Sequence, residues 1–305
     1  MLNRLDHVAL WVADLDEASE RWQAQFGLVE RGRELDRAVL CCDDEPSALE
    51  LIEGVEAGFA HVGYELAPDW PAEDALMRLR RAEVEAEIVD GVVELTDLDG
   101  NAIHLLPYEE PASRWVAHAR PADRQVTGHP RKLGHVNFLT GRIKEQVAFY
   151  REVLGMGMAD WLGDGGAWLH LGGEHHVMAL VDKGYSHFHH LALDVVDIGQ
   201  MRAALDHLGR HGRWLGWGPT RHGVGGNIAS YVRIVEEECF VELYCDMEIL
   251  RPGHEPRVWP DNRYSSNTWG PLPPRSYFRF DPEAVASERE SLEMLGRPLA
   301  PAPEA

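Results

Sequence analysis

Short apolar runs recur along the chain, and each is followed by a stretch with helical spacing. Residues 5–12, LDHVALWV, read as a strand, since the run is too short for a helix. The following DLDEASERWQAQFGL (14–28) carries apolar side chains at helical intervals, acidic residues in its first turn, and a glycine where a helix ends. The same couplet returns as LGHVNFLT (133–140) and IKEQVAFYREVLGM (143–156). Two weaker copies are FAHVGYEL (59–66) before DALMRLRRAEVEA (74–86), and HHLALDV (189–195) before IGQMRAALDHLG (198–209). Each of these leads into two runs of strand character: VVELTD and AIHLLPY in one case, NIASYVRI and CFVELYC in the other. The chain therefore reads as α+β, with four βαβββ modules forming two half-barrel-type domains in tandem. The expected divisions are a first domain over 1–110, a Pro-, Ala- and charge-rich linker over 111–130, a second domain over 131–250, and an arm over 251–305. The arm, punctuated by Pro and Gly but rich in aromatics, is expected to be ordered though irregular, with LGRPLAPAPEA as a frayed terminus.

Composition agrees with this picture. A chain of 305 residues, 45% hydrophobic and 26% charged, is ordinary for globular proteins and long enough for about two domains of roughly 100–200 residues. No apolar stretch approaches the roughly 18–20 residues of a membrane span, and the start MLNRLDHVAL has no basic region leading into a long apolar one, so no secretory signal is expected. A formal charge of −22 repels phosphate backbones and anionic lipid, which argues against nucleic acid or membrane surfaces as partners. Four cysteines, Cys41, Cys42, Cys239 and Cys245, make no disulfide framework, so a cytoplasmic location is expected. The adjacent Cys41 and Cys42 are expected to pack as small apolar residues in a strand.

The residues that carry chemistry concentrate in the second half. His135 lies in the opening strand of its first module, His190 in the opening strand of its second, and Glu242 in the final strand, FVELY. Strand side chains alternate between faces, so Val241 and Leu243 share one face while Glu242 and Tyr244 take the other. That second face is either a sheet concavity or solvent, and the module repeat favours concavity. Singly, a strand histidine reads as a core or surface residue and a strand glutamate as a solvated one. Equivalent positions in repeated units change the reading, because two imidazoles and one carboxylate in a funnel match the facial triad of non-haem Fe(II) sites.

The stretch GPTRHGVGGNIASY (218–231) followed by VELYC (241–245) resembles the extradiol ring-cleaving dioxygenases, the catechol 2,3-dioxygenase branch of the vicinal oxygen chelate superfamily. The resemblance spans essentially residues 3–250, and YSSNTWGPLPP in the arm is similar as well. It implies His135, His190 and Glu242 as metal ligands, with His189 pointing away. It implies His175 as the acid–base residue with His176 as its outward neighbour, His222 as a hydrogen-bond donor to a substrate oxygen, and Tyr231 as the tyrosine facing the bound diol. The cofactor implied is Fe(II), with Mn(II) also compatible with the donor set. The implied partners are an aromatic vicinal diol and O2, both of whose atoms enter the ring next to the diol, and the implied assembly is a homo-oligomer. Two departures stand out. RIVEEECF replaces an acidic-Pro-x-Gly turn, which makes Glu238 the fallback ligand while Glu236, Glu237 and Glu238 read as a solvated turn. Ser230 replaces a bulky apolar residue before the tyrosine.

By the repeat, His7 parallels His135, His61 parallels His190 and His104 parallels Glu242. Three imidazoles could bind zinc, but the first half has no counterparts of His175, His222 and Tyr231, and the resemblance implies a metal-free copy retained for architecture. Trp161, Trp168, Phe188, Trp214 and Trp217 are candidates to line a substrate pocket, with core or interface packing as the alternative for each. Three rival activities exist on such a scaffold. Glyoxalase-type isomerisation favours a second glutamate among four ligands. A hydroxyphenylpyruvate dioxygenase favours a longer chain with a long final helix. A metal-free ligand-sequestering module favours a single pair of units and has no use for His175, His222 and Tyr231.

Overall fold

The computed structural model describes residues 1–42, 45, 47–110, 128–262, 265, 267–281, 283, 285 and 286. Most of the expected linker and the expected frayed terminus lie outside the described residues. The first module contributes β1 (Leu2–Val12), β2 (Val29–Arg33), β3 (Arg37–Cys41) and β4 (Leu49–Glu53), and the second β5 (Gly58–Leu66), β6 (Ala86–Val89), β7 (Val92–Thr96) and β8 (Ala102–Leu106). They form one eight-stranded sheet in the order β2-β3-β4-β1-β5-β8-β7-β6. The second half supplies β9 (Lys132–Thr140), β10 (Gly157–Leu162), β11 (Gly166–His170), β12 (Met178–Asp182), β13 (His187–Asp194), β14 (Leu215–Arg221), β15 (Ile228–Ile234) and β16 (Cys239–Cys245). With β17 (Arg257–Trp259) from the arm they form a nine-stranded sheet, β14-β15-β16-β13-β9-β12-β11-β10-β17. The α+β reading and the tandem of two sheets hold.

The topology decides which side chains can meet. In each sheet the opening strands of the two modules pair antiparallel at the centre, β1 with β5 and β9 with β13. Each is flanked in parallel by the last strand of its own module: β4 beside β1, β8 beside β5, β12 beside β9 and β16 beside β13. Inward side chains of four strands from two modules therefore converge on one concave region per half.

Two of the helices begin at an aspartate cap. Asp14 caps Leu15–Phe26 by accepting from the Glu17 N–H, and Gly27 closes it in the left-handed conformation. Trp22, Phe26 and Leu15 on this helix are buried. Asp197 caps Ile198–Arg210 by accepting from the Gln200 N–H. The helix expected over 74–86 occupies Ala72–Arg81 and ends through Glu83 at positive φ. The one expected over 143–156 is an α-helix over Ile143–Ala148 that continues as a π turn over Phe149–Val153.

Apolar packing runs through both halves as one continuous cluster, with Phe59 stacked on Phe188 at 4.7 Å between ring centroids. Polar ties cross it too. Arg21 grips the Glu237 carboxylate through both Nη atoms, and the Tyr150 hydroxyl donates to Asp97 Oδ2 at 2.9 Å. Glu237 is thus buried rather than in a solvated turn, because its charge is matched by a guanidinium from the other half. All four cysteines are buried and none is in a disulfide. Among the described residues no helix is long and apolar enough to cross a membrane.

Candidate metal centre

His135 sits on β9, His190 on β13 and Glu242 on β16, the three adjacent central strands of the second sheet. The register sets Ala192 of β13 opposite both His135 and Glu242, which brings the three side chains to one side of the sheet. Close approach at β9 depends on Gly134, where a Cβ would fall 1.8 Å from the Tyr244 hydroxyl. His135 Nε2 lies 3.0 Å and His190 Nε2 3.1 Å from Glu242 Oε2, and the two nitrogens are 3.4 Å apart. All three residues are buried, and the group could hold a metal ion. Glu238, the fallback, stands outside it in the β15–β16 turn.

Hydrogen bonding sets the protonation of these groups. The Tyr277 carbonyl can only accept, so His189 Nε2 donates to it, at 2.8 Å. Burial holds His189 well below the usual histidine range, so the ring is neutral and its Nδ1 is bare. His190 Nδ1, 2.8 Å away, therefore donates to His189 Nδ1. Burial also pushes His190 down to about 4, against the pull of Glu242, so its Nε2 carries a free lone pair aimed at Glu242 and His135. Asn227 Nδ2 donates to Glu242 Oε1 at 2.9 Å and leaves Oε2 to face the imidazoles. Burial pushes the Glu242 carboxyl up, but the adjacent imidazoles, His135 first, outweigh it and hold the group well below the usual carboxylate range. Two imidazole nitrogens and an ionised carboxylate oxygen, buried and convergent, are a donor set for a divalent cation with open positions.

These groups form one wall of a cavity of about 300 Å³, a size suited to a small ligand. Tyr231 on β15 and Trp217 on β14 enter it, stacked at 5.0 Å with rings 11° apart. His222 Nε2 lies 2.7 Å from the Tyr231 hydroxyl, and both residues line the cavity. Burial and the nearby Glu242 carboxylate push the Tyr231 hydroxyl well above its ordinary range, so it stays protonated.

The structure reverses the expectation for the histidine pair before β12. His176, not His175, lines the cavity, with its ring centroid 4.3 Å from that of His135. His175 faces away, fully buried, with Nε2 3.1 Å from Asp160 Oδ2 and Nδ1 3.0 Å from His176 Nδ1. Neighbouring residues at a strand edge point to opposite sides, and choosing between them requires the register of β12 against β9, which the sequence does not display. His189 does point away, as expected, and stacks on Phe240.

Of the aromatics proposed for the pocket, Trp168 and Trp217 line it, whereas Trp161, Phe188 and Trp214 do not. Phe188 packs in the core between the two sheets, and Trp214 is exposed. Sequence reasoning missed Asn137, two residues beyond His135 and so on the same face, which period-two alternation could have found. It also missed Asn227 and the arm residues Tyr277 and Phe278, which reach the cavity from a distant segment with no motif of their own.

Residues 132–234 match the family model described as Glyoxalase/Bleomycin resistance protein/Dioxygenase superfamily. This segment is a domain of that superfamily. The superfamily domain contains His135, His176, His190, His222 and Tyr231, with Glu242 just beyond the matched segment. Across 307 aligned positions the chain is 27% identical to metapyrocatechase 2 of Cupriavidus necator, covering 91% of this chain and 92% of that protein. Its fold is similar to that of a homoprotocatechuate 2,3-dioxygenase variant from B. fuscum (TM-score 0.79, 19% identity, 91% of this chain and 81% of the other). It is similar as well to the Mn(II)-bound glyoxalase from Novosphingobium aromaticivorans (TM-score 0.77, 20% identity, 90% and 93%). The matched segment lies in the second of the two tandem halves.

Proposed function

We propose that this protein is an extradiol dioxygenase that cleaves a catechol-type ring next to its two hydroxyls with O2. The observation that carries this reading is the juxtaposition, in one cavity, of the His135–His190–Glu242 donor set with the Tyr231–His222 pair and His176. The whole-length similarity to a protein named metapyrocatechase supports it. The donor set fits a divalent metal on the chemistry described above, and His135, His190 and Glu242 would hold it. Fe(II) is the proposed occupant and Mn(II) the alternative. When bound, the ion lowers the pKa of a coordinated hydroxyl and passes electrons between the diol and O2.

The chain's own residues then have separable tasks. The Tyr231 hydroxyl and His222 Nε2 form a hydrogen-bonded pair that can engage one diol oxygen and fix its orientation. His176 is the proposed acid–base residue, since its ring faces the cavity and burial keeps it neutral. Behind it, Asp160 is held ionised, its burial outweighed by hydrogen bonds from His175, Arg257 and Trp259. It therefore accepts from His175 Nε2, and the His175 Nδ1–His176 Nδ1 contact passes that orientation to the cavity-facing ring. His175 becomes a positioning residue rather than the catalytic one. Trp168, Trp217 and the arm residues Tyr277 and Phe278 wall the cavity and exclude water.

In this proposal residues 131–250 are the catalytic half, residues 1–110 its scaffold and 251–280 a wall of the site. Cytoplasmic residence, supported by four buried cysteines outside any disulfide, and homo-oligomeric assembly belong to the same proposal. The deciding experiment adds catechol in air to anaerobically purified, Fe(II)-loaded protein and follows O2 uptake with the rise of a yellow ring-cleaved product. Product that persists in Glu242→Ala would refute the reading. A glyoxalase-type activity would instead need no O2.

A further inference from the structure

The first sheet holds a second convergent donor group, and its composition differs from what the repeat leads one to expect. His7 on β1, Glu50 on β4 and His61 on β5 are all buried and meet on one side of the sheet. His7 Nε2 is 3.0 Å from His61 Nε2 and 3.5 Å from Glu50 Oε2, and His61 Nε2 is 3.7 Å from the same oxygen. His104, the expected third member, instead stacks on His61 with ring centroids 3.7 Å apart. Glu50 occupies the β4 position that β12 fills with Ala179: each lies beside the residue two beyond the first histidine, Ala9 in one sheet and Asn137 in the other. The second half therefore offers no template for Glu50.

Three further features point to a cation. Glu50 Oε2 is buried and has no hydrogen-bond partner, although it faces two imidazoles, while Arg37 engages only Oε1. An unmatched carboxylate oxygen aimed into a buried cluster is costly without a cation or donor to meet it. The Asp6 carboxylate lies 2.9 Å from His7 Nδ1 and also accepts from Ser47 Oγ at 2.9 Å. A carboxylate accepts, so His7 Nδ1 donates to Asp6, and in a neutral ring Nε2 is the lone pair that faces His61 and Glu50, the carboxylate–histidine arrangement of metal sites. Finally, β5 places Gly63 opposite His7, where a Cβ would come within 2.4 Å of the ring, so the strand is shaped around the imidazole in this orientation.

We propose that the amino-terminal half binds a second divalent cation of the zinc class through His7, Glu50 and His61, with Asp6 as the positioning residue for His7. Ligands about 2.1 Å from a tetrahedral zinc stand about 3.4 Å apart, and the three donor separations here bracket that value. Glu50 also borders a cavity of about 380 Å³ whose lining mixes acidic Asp6 and Glu65 with basic Arg4 and Arg31. The ion would clamp β1, β4 and β5 together across the two modules of this sheet. The proposal does not rest on the ring-cleavage reading, since no residue is shared between the two sites.

The test uses the full chain, stripped with chelator, loaded with Zn²⁺, desalted and assayed for metal per chain by mass spectrometry. His190→Ala/Glu242→Ala protein is expected to retain one tight ion, which Glu50→Gln in the same background removes. In that background Co²⁺ is expected to give the visible absorption of a single tetrahedral site. No ion in the His190→Ala/Glu242→Ala protein would overturn the proposal, and so would an ion that survives Glu50→Gln. Should Glu50→Gln fail to fold by circular dichroism, Asp6→Asn keeps all three ligands and is expected to weaken Zn²⁺ about 10- to 100-fold. Unchanged affinity in that variant would count against the proposal equally. Ring-cleaving activity lost without change at this site would refute only the functional reading.

Discussion

His189 Nδ1 lies 2.8 Å from His190 Nδ1, and this contact decides which nitrogen of His190 is free. The chain of hydrogen bonds starts at the Tyr277 carbonyl, in the arm, and ends at a lone pair aimed at Glu242. His189→Phe preserves the stacking on Phe240 but leaves His190 Nδ1 without its acceptor. Metal affinity is expected to fall about 10- to 100-fold with the fold retained, as measured by anaerobic Fe(II) titration. Wild-type affinity in this variant would show that the tautomer needs no support from the arm.

The two neighbouring histidines before β12 make opposite predictions. His176→Phe is expected to keep the metal and lose at least about 100-fold in kcat, the scale of a general acid–base contribution. Asp160→Asn reaches the cavity through His175, while also loosening the contacts of Arg257 and Trp259, so it should lower kcat less, keep metal content and displace the pH profile of kcat. If His175→Phe abolished turnover while His176→Phe spared it, the assignment from the cavity wall would be wrong.

Arg21 and Glu237 join the two halves as a buried ion pair. Arg21→Ala leaves a carboxylate in the interior with its main counter-charge gone. A loss of about 3–5 kcal/mol in unfolding free energy is expected from chemical denaturation. A loss under about 1 kcal/mol would mean that Glu237 finds water or another cation.

Acid should destabilise the metal-free protein through His104. Burial pushes its pKa down from 6.5 to about 4, so between those values the unfolded chain binds more protons than the folded one. This contribution to stability is complete above about pH 6.5 and is lost as the pH falls toward 4. Denaturation midpoints of wild type and His104→Gln, compared at pH 7 and pH 5 after chelation, are expected to show the smaller drop in the variant. Equal drops would assign the acid sensitivity elsewhere.

Much of this architecture was legible in the linear order of residues. Strand–helix couplets closed by Gly27 and opened by Asp14 or Asp197 are local events, because a cap or a left-handed glycine acts within one turn. Repetition of those couplets then implied two equivalent sheets, and it drew notice to His135 and His190 in equivalent opening strands and to Glu242 in the last strand of the second module. What the order of residues could not convey was register and distant approach. A one-residue choice at a strand edge separates His176 from His175, and only pairing with a neighbouring strand makes it. Glu50 joins His7 and His61 because β4 lies parallel to β1, and Tyr277 reaches the cavity from a segment without periodicity. Local chemistry acts over a few bonds and is written in neighbouring letters, whereas the assembly of a site from separate strands is set by packing, which only the folded chain contains.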